Sequence, residues 1–413
     1  MIPRQAARQP VYANPQVRKH RPDYGLVIIA TILLGIGMVV MYAISPALAA
    51  QGGGASDNYF VIRQFVAIIF GLVAFFISAK ISLDYWIRMQ KPLVIIALIL
   101  CVVTVFMGGV GNRWIHLNIF SMQPVELVKF ALIISGAYIM AKSVREGNVS
   151  KLSVLRPLLI GLVIFSLILV VLQRDLGSTF VLIFMVGVMA FVAGLPLRKL
   201  LIIGSVAIIA GTLAISSTAY RRERLVTYLQ PEKDCVDSGY HACQALIAVG
   251  SGGVFGVGLG HSVQAYGYLP EAANDSIFAI YAEKFGFVGV IALLMLFGSL
   301  LLRILNIMQR APNKTMQLVC AGVFAWLGFQ SLINIGAMVG LLPLKGITLP
   351  FISYGGTSLI FVMAGLGIVF QISSYTSMRK SSISFDEERN NNESDNHWRR
   401  NSRPRYTITR SSR

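Results

Sequence analysis

Glu126 and Lys129 stand three residues apart in the apolar run Gln123-Pro124-Val125-Glu126-Leu127-Val128-Lys129. On a helix this spacing puts both on one face, with the acid nearer the N-terminus, as the helix dipole prefers. Ionisable groups inside apolar segments are costly and are kept for pairing or for function. Two chemistries fit the pair: self-neutralisation that lets a helix end be buried, or a charged couple facing a substrate. Arg174 and Asp175 form a second pair in a short turn between two apolar blocks, where an interfacial anchor is the alternative. Glu283 and Lys284 are adjacent, so on a helix they point about 100° apart and are expected not to pair with each other. Asp275 precedes a further apolar block, a position where Asp also serves as a helix N-cap. Arg113, Arg174, Arg221, Arg222, Arg224, Lys233 and Lys345 all lie near block ends on the same side. Such cations suit a diphosphate group at headgroup level, and snorkelling anchors would present the same pattern.

The elements that must position these groups are membrane helices. The chain has 413 residues, 55% hydrophobic and only 13% charged, with a mean hydropathy of +0.68. A soluble domain would carry roughly a quarter charged residues. The apolar excess falls in blocks long enough to cross a hydrocarbon core of roughly 30 Å. Lipid leaves no backbone polar group a partner, so each block must be a helix. The spacing predicts an all-α integral membrane protein with about ten spans: 24–46, 59–79, 92–107, 124–141, 157–172, 176–194, 197–216, 276–302, 316–341 and 356–375. The first block is expected to be an anchor, not a cleavable signal, and Ser45-Pro46-Ala47 does not stop it.

Orientation follows from charge. With an even number of spans, both tails share a side with segments 80–91, 142–156, 195–199 and 303–315, and that side holds most of the 36 Lys and Arg. Positive loops stay inside, so both termini are expected in the cytoplasm and a large loop, about 217–275, outside. The expected division is a basic N-tail over 1–23, a membrane domain over 24–375 and a disordered cytoplasmic C-tail over 376–413, too polar to bury a core. The net charge of +18 then reflects attraction to anionic headgroups, and no folded basic module supports nucleic-acid binding.

Cys101 and Cys320 fall inside spans as small apolar residues. Cys235 and Cys243 lie eight residues apart in the outer loop, where a disulfide is the first expectation and a metal site with His241 the alternative. The stretch from Gly340 to Ser358 holds two prolines and several glycines, so it cannot be continuous helix. Non-helical backbone survives at membrane depth only when buried in protein or lining a cavity. This loop is expected to re-enter, with Lys345, Ser353 and Tyr354 facing something polar. The Gly-rich run 250–260 lacks the strand and Gly-Lys-Ser context of a phosphate loop.

Several of these stretches together resemble the SEDS family of bacterial glycan polymerases typified by FtsW and RodA. They are Gly111-Asn112-Arg113-Trp114-Ile115, Gln123-Pro124 with Glu126 and Lys129, Ala248 to Gly253, Leu269-Pro270-Glu271-Ala272 followed by Asp275, and Lys345 to Gly356. The Lys345-Gly346-Ile347-Thr348 wording resembles the division branch more than the elongation branch. The resemblance runs from Asp23 to about Ser377. It departs from the family pattern at Ala273, where His is usual, at Arg174, where Pro is usual, and at Glu283-Lys284, where two acids are common.

The resemblance implies ten helices with both ends inside, and polymerisation of lipid II into glycan strands on the outer face of the bacterial cytoplasmic membrane, at the division septum. It implies Asp275 as the catalytic residue, with Glu126, Lys129, Asp175 and Lys345 also involved. Partners implied are a class B penicillin-binding transpeptidase and other division proteins. Glycosyl transfer needs a base for the attacking hydroxyl and positive charge on the departing diphosphate. Asp275 is the expected base, Arg113, Lys129, Arg221, Arg222 and Lys345 the diphosphate candidates, and Ser353 a further polar contact. No cofactor is required by this scheme, and the alternative role for Asp275 is to hold Mg²⁺ or Mn²⁺ at the diphosphate. A lipid II flippase and a non-catalytic division scaffold are the rival functions, although the halves carry no evident repeat of the transporter kind.

Overall fold

Apolar runs that cannot hydrogen-bond to lipid close their backbone bonds internally, and nine such runs among the described residues form helices long enough to cross a membrane. The structure is a computed structural model that describes residues 17–51, 56–108, 112–116, 121–148, 152–205, 235–236, 239–343 and 346–377. In chain order the helices are α1 (Tyr24–Gln51), α2 (Tyr59–Lys80), α3 (Leu83–Arg88), α4 (Gln90–Gly108), α5 (Pro124–Arg145), α6 (Leu152–Leu167) with a π turn over Ile168–Leu172, α7 (Leu176–Ala193), α8 (Tyr240–Ser251), α9 (Ile277–Arg310), α10 (Lys314–Met338) and α11 (Gly356–Ser373). Helix α1 runs through Pro46. Of the predicted seventh span, residues 197–205 are helical and the remainder lies outside the described residues.

Burial separates the helices into an inner group and a rim. The most apolar window of α5 is 78% buried and those of α10 and α11 72%, against 17% for α4 and 22% for α2. Helix α10 packs on α5, α7 and α9, and α2 lies along α11. The rim faces are covered with exposed Phe, Ile and Leu, as lipid contact requires.

Four short strands tie loop ends. Strand β1 (Val17–Lys19) pairs antiparallel with β4 (Tyr375–Ser377), and β2 (Ile115–His116) with β3 (Ser121–Met122). Thr376 and Ser377, expected in a disordered tail, are strand residues because the segment before α1 supplies their backbone partners. Asp23 adds an ion pair to Arg303 at 2.8 Å, so residues 17–23, strand β4 and the Arg303 end of α9 lie together. Helix α9, broken at Gly286, leads from that end back to Asp275.

Two features of the 217–275 segment go beyond a plain loop. It contains α8 and a 3₁₀ turn over Gln264–Tyr266, and its Gly-rich run docks on a break in α9. The break is Gly286 (φ 64). The freed backbone groups are met there, because Phe287 N donates to Gly253 O (2.9 Å), Val288 N to Val254 O (3.1 Å), Val257 N to Glu283 O (3.0 Å) and Gly258 N to Lys284 O (3.1 Å). Gly256, at φ 80, lies so close that a Cβ would collide with the Lys284 carbonyl. The run is therefore a backbone-to-backbone joint. Glu283 and Lys284 do not touch each other: Glu283 accepts from Ser262 Oγ and Val263 N, and Lys284 Nζ donates to Leu259 O at 2.6 Å.

Gly256→Ala adds a side chain where both φ and space exclude one, and is expected to destabilise the protein by about 1–3 kcal/mol. Gly298→Ala, in open space on α9, is expected to leave stability unchanged or slightly raised. Thermal unfolding of both variants in detergent checks this.

Candidate active site

Lys129 is the starting point, because a buried ammonium must be paired and hydrogen-bonded. It is 2% exposed on the inner helix α5. Its Nζ donates to Glu126 Oε1 and to Gln330 Oε1, each at 2.8 Å, and lies 5.0 Å from the Trp326 ring centroid. Trp326 Nε1 also donates to Gln330 Oε1 (2.8 Å), which aims the Gln330 amide outward. Gln330 Nε2 then donates to Thr348 O at 2.9 Å, in the buried loop before α11. Trp326, Gln330 and Asn334 recur every four residues, so they form one stripe along α10. Asn334 Nδ2 donates to both Asp275 O and Ile347 O, each at 2.7 Å. One amide thus clamps the Asp275 turn to the loop before α11.

Further bonds close the same joint. Ser353 Oγ donates to Asn274 O (2.7 Å) and accepts from Leu349 N (2.7 Å). Tyr354 N donates to Ala273 O at 2.8 Å, so position 273 contributes through its carbonyl. Gln123 N donates to Thr357 Oγ1 (3.1 Å), joining the start of α5 to that of α11.

These loops surround a cavity of about 410 Å³ lined by Arg63, Arg113, Trp114, Glu271, Asn274, Asp275, Gly346, Thr348 and Tyr354, with Val66, Ala67, Phe70 and Ile360 as an apolar wall. Arg113 reaches it from the loop after α4. Its Nε donates to Gln173 O (3.2 Å) and its Nη2 to Arg174 O (2.8 Å), while Nη1 lies 3.9 Å from Asp175 Oδ1. A Cβ on Gly346 would lie 3.1 Å from Asp275 Oδ2 and 3.2 Å from Arg113 Nη1, so the acid and the guanidinium border the same space. Arg63 stacks over Tyr59 (4.4 Å) and is hydrogen-bonded to the Tyr354 side chain. Burial pushes the Asp275 carboxyl up to about 7; the Glu271 charge and, more weakly, Asp175 add to this, and Arg113 opposes it.

Of the residues singled out in sequence, Arg113 and Asp275 line the cavity. Glu126, Lys129, Asp175 and Ser353 lie behind it, buried and engaged in the bonds that hold the loops. Asp175 is the N-cap of α7, accepting from Ser178 N at 3.0 Å and Ser178 Oγ at 2.8 Å. Arg174 has φ 54, a conformation closed to proline, and the turn it makes presents two carbonyls to Arg113. Arg221, Arg222 and Lys345 lie outside the described residues, as do Arg224 and Lys233. Cys235 and Cys243 are joined by a disulfide, with Cα atoms 5.6 Å apart. Arg63 was missed. Its signal was an arginine inside an otherwise apolar second span.

Gly346→Leu would fill the space between Asp275 and Arg113 without touching the core. Ligand binding and turnover are expected to be lost with the unfolding temperature unchanged, which isothermal titration and a thermal scan together would check.

Comparison with known proteins agrees with this architecture. The cell cycle protein family of FtsW, RodA and SpoVE matches residues 24–378. A probable peptidoglycan glycosyltransferase FtsW from Saccharophagus degradans is 37% identical over 373 residues, 88% of this chain and 95% of that protein. Stage V sporulation protein E of Bacillus subtilis is 36% identical over 367 residues, 87% and 99% of the two chains. The rod shape determining protein RodA of Thermus thermophilus has the same fold, with a TM-score of 0.62 and 29% identity over 85% of this chain and 96% of that one. A chain of a peptidoglycan synthase complex, described for its coordination of polymerization and crosslinking, matches with a TM-score of 0.68 and 29% identity over 85% and 97%. The chain belongs to the FtsW/RodA/SpoVE family of cell cycle proteins.

Proposed function

We propose that this protein is a peptidoglycan glycosyltransferase that polymerises lipid II, a disaccharide carried on a polyprenyl diphosphate, during septal wall synthesis. One observation carries the reading: a half-buried acid and two arginines share a cavity whose remaining wall is apolar and continues onto a lipid-facing helix. Val66, Ala67, Phe70 and Ile360 form that wall, and Phe65, Ile69, Phe70 and Val73 on α2 are exposed beyond it. A diphosphate between cations with a hydrocarbon chain leaving sideways is the ligand such a space fits.

In this reading the acceptor hydroxyl gives its proton to the Asp275 carboxylate as its oxygen attacks the anomeric carbon of the donor sugar. The bond from that carbon to the diphosphate oxygen breaks, and the leaving group's negative charge develops beside Arg113 and Arg63. In the alternative to base catalysis, Asp275 and Glu271 would together hold a divalent cation. When bound, the ion supplies further positive charge at the leaving group.

Both termini are cytoplasmic and the cavity opens outside in this scheme. The Cys235–Cys243 bond supports that orientation independently of charge counting, because disulfides persist in oxidising compartments. A class B penicillin-binding transpeptidase is the partner that would cross-link the strands, in line with the synthase complex whose fold matches.

The test is polymer formation from labelled lipid II by the purified protein, with and without the transpeptidase. Asp275→Asn is expected to lose ~10²–10⁴-fold in rate. Lipid II crossing between vesicle leaflets without polymer would favour a flippase, and wild-type protein inert in both assays a scaffold. Since Asp275 must be ionised to act, the rate is expected to rise with pH up to about 7 and level off above it, a limb absent from the residual activity of Asp275→Asn.

A further inference from the structure

His241 lies in the first turn of α8, and its Nε2 is 2.7 Å from Ser276 Oγ, next to Asp275. Ser276 is fully buried. Its hydroxyl has one proton, which goes to Pro270 O at 2.8 Å. Ser276 Oγ is therefore the acceptor of the His241 contact, and His241 carries a proton on Nε2. Ser276 N donates to Glu271 O (3.2 Å), as does Asn274 N (3.0 Å). This turn contains Glu271 at φ 51, a strained conformation for a side-chain-bearing residue, which persists only where its surroundings enforce it. The His241–Ser276–Pro270 chain is such an enforcement, and it enters from outside the turn.

Helix α8 packs on α9 and α10, with Cys243, Ala245 and Ala248 buried, but Gly239 at its N-cap provides no side-chain cap for the first turn that carries His241. The disulfide from Cys235 to Cys243 closes the chain around its first turn, two residues from His241.

We propose that His241 is a positioning residue for Asp275, kept in register by the Cys235–Cys243 disulfide, so that glycosyl transfer requires this bond to be closed. The proposal rests on the glycosyltransferase reading above. Opening the bond with a dithiol breaks S–S and gives two thiols, while the reductant loses two electrons and two protons and closes to its own disulfide.

The test uses the full-length protein in proteoliposomes with labelled lipid II, alongside hydrogen exchange at amides 271–276. His241→Ala is expected to lower kcat about 10–100-fold through misplacement of Asp275, with KM unchanged and faster exchange in the turn. His241→Gln, which keeps a donor at the Nε2 position, is expected to recover most of the loss. The Cys235→Ser/Cys243→Ser variant is expected to fall by a similar factor, with no further fall when His241→Ala is added. Dithiol treatment should lower wild-type activity reversibly and leave the serine variant untouched. Wild-type kcat and exchange in His241→Ala, a Gln variant as impaired as Ala, or additive losses would each overturn the proposal. If wild-type protein makes no polymer, the function reading fails, and the exchange response still decides whether His241 and the disulfide hold the turn.

Discussion

The buried, non-helical loop before α11 leaves amide and carbonyl groups that must find partners inside the protein, and the site follows from how they are met. The stripe Trp326, Gln330, Asn334 on α10 supplies the partners, and Lys129 supplies the positive end that orients the stripe. Each buried polar group left unpaired would cost about 1–3 kcal/mol. Neutralising Lys129 alone would strand Glu126, and removing Gln330 would take one of two partners from Lys129 and strand Trp326 Nε1 and Thr348 O. The bonds form a continuous path from an inner helix to the backbone of Asp275. Paired charges in the bundle interior thus act as structure, in support of chemistry performed one layer further out.

That layering sets how the cavity is walled. One side is the Asp275 turn clamped to the loop before α11, and another is Arg113, anchored by two carbonyls of the 173–174 turn. Arg113 faces two acids, Asp175 in the support and Asp275 in the cavity. Its charge lowers the cost of ionising Asp275, while burial and Glu271 raise it, and the balance leaves a carboxyl that titrates near neutrality. A base poised there is still partly ionised at working pH and keeps most of its driving force. The open side is the apolar wall along α2, a rim helix.

Much of this was legible in sequence because membrane depth makes polar residues conspicuous. The spans, the Glu126–Lys129 pair and the interruption between Gly340 and Ser358 all follow from the cost of polar groups in lipid. Which charges face the cavity was not legible. Lys129 and Asp175 point to substrate as plausibly as Arg113 does until the partners Gln330 and Ser178 are placed, two uncharged residues with no pattern of their own. Arg63 was hidden by its apolar neighbours, and the role of Gly286 by a helix whose hydrophobic run continues across the break. The Gly-rich run had the composition of a ligand loop, yet its small residues serve a backbone joint, visible only when Gly256 and the Lys284 carbonyl meet.

The account stands most directly on where a lipid-linked diphosphate binds. A cryo-electron microscopy structure of the protein with an unreactive lipid II analogue would locate it. The account requires the diphosphate within hydrogen-bond reach of Arg113 and Arg63, the reacting sugar beside Asp275, and the polyprenyl chain against Val66 and Phe70. A diphosphate held elsewhere in the bundle, with Asp275 out of contact with any sugar, would contradict it.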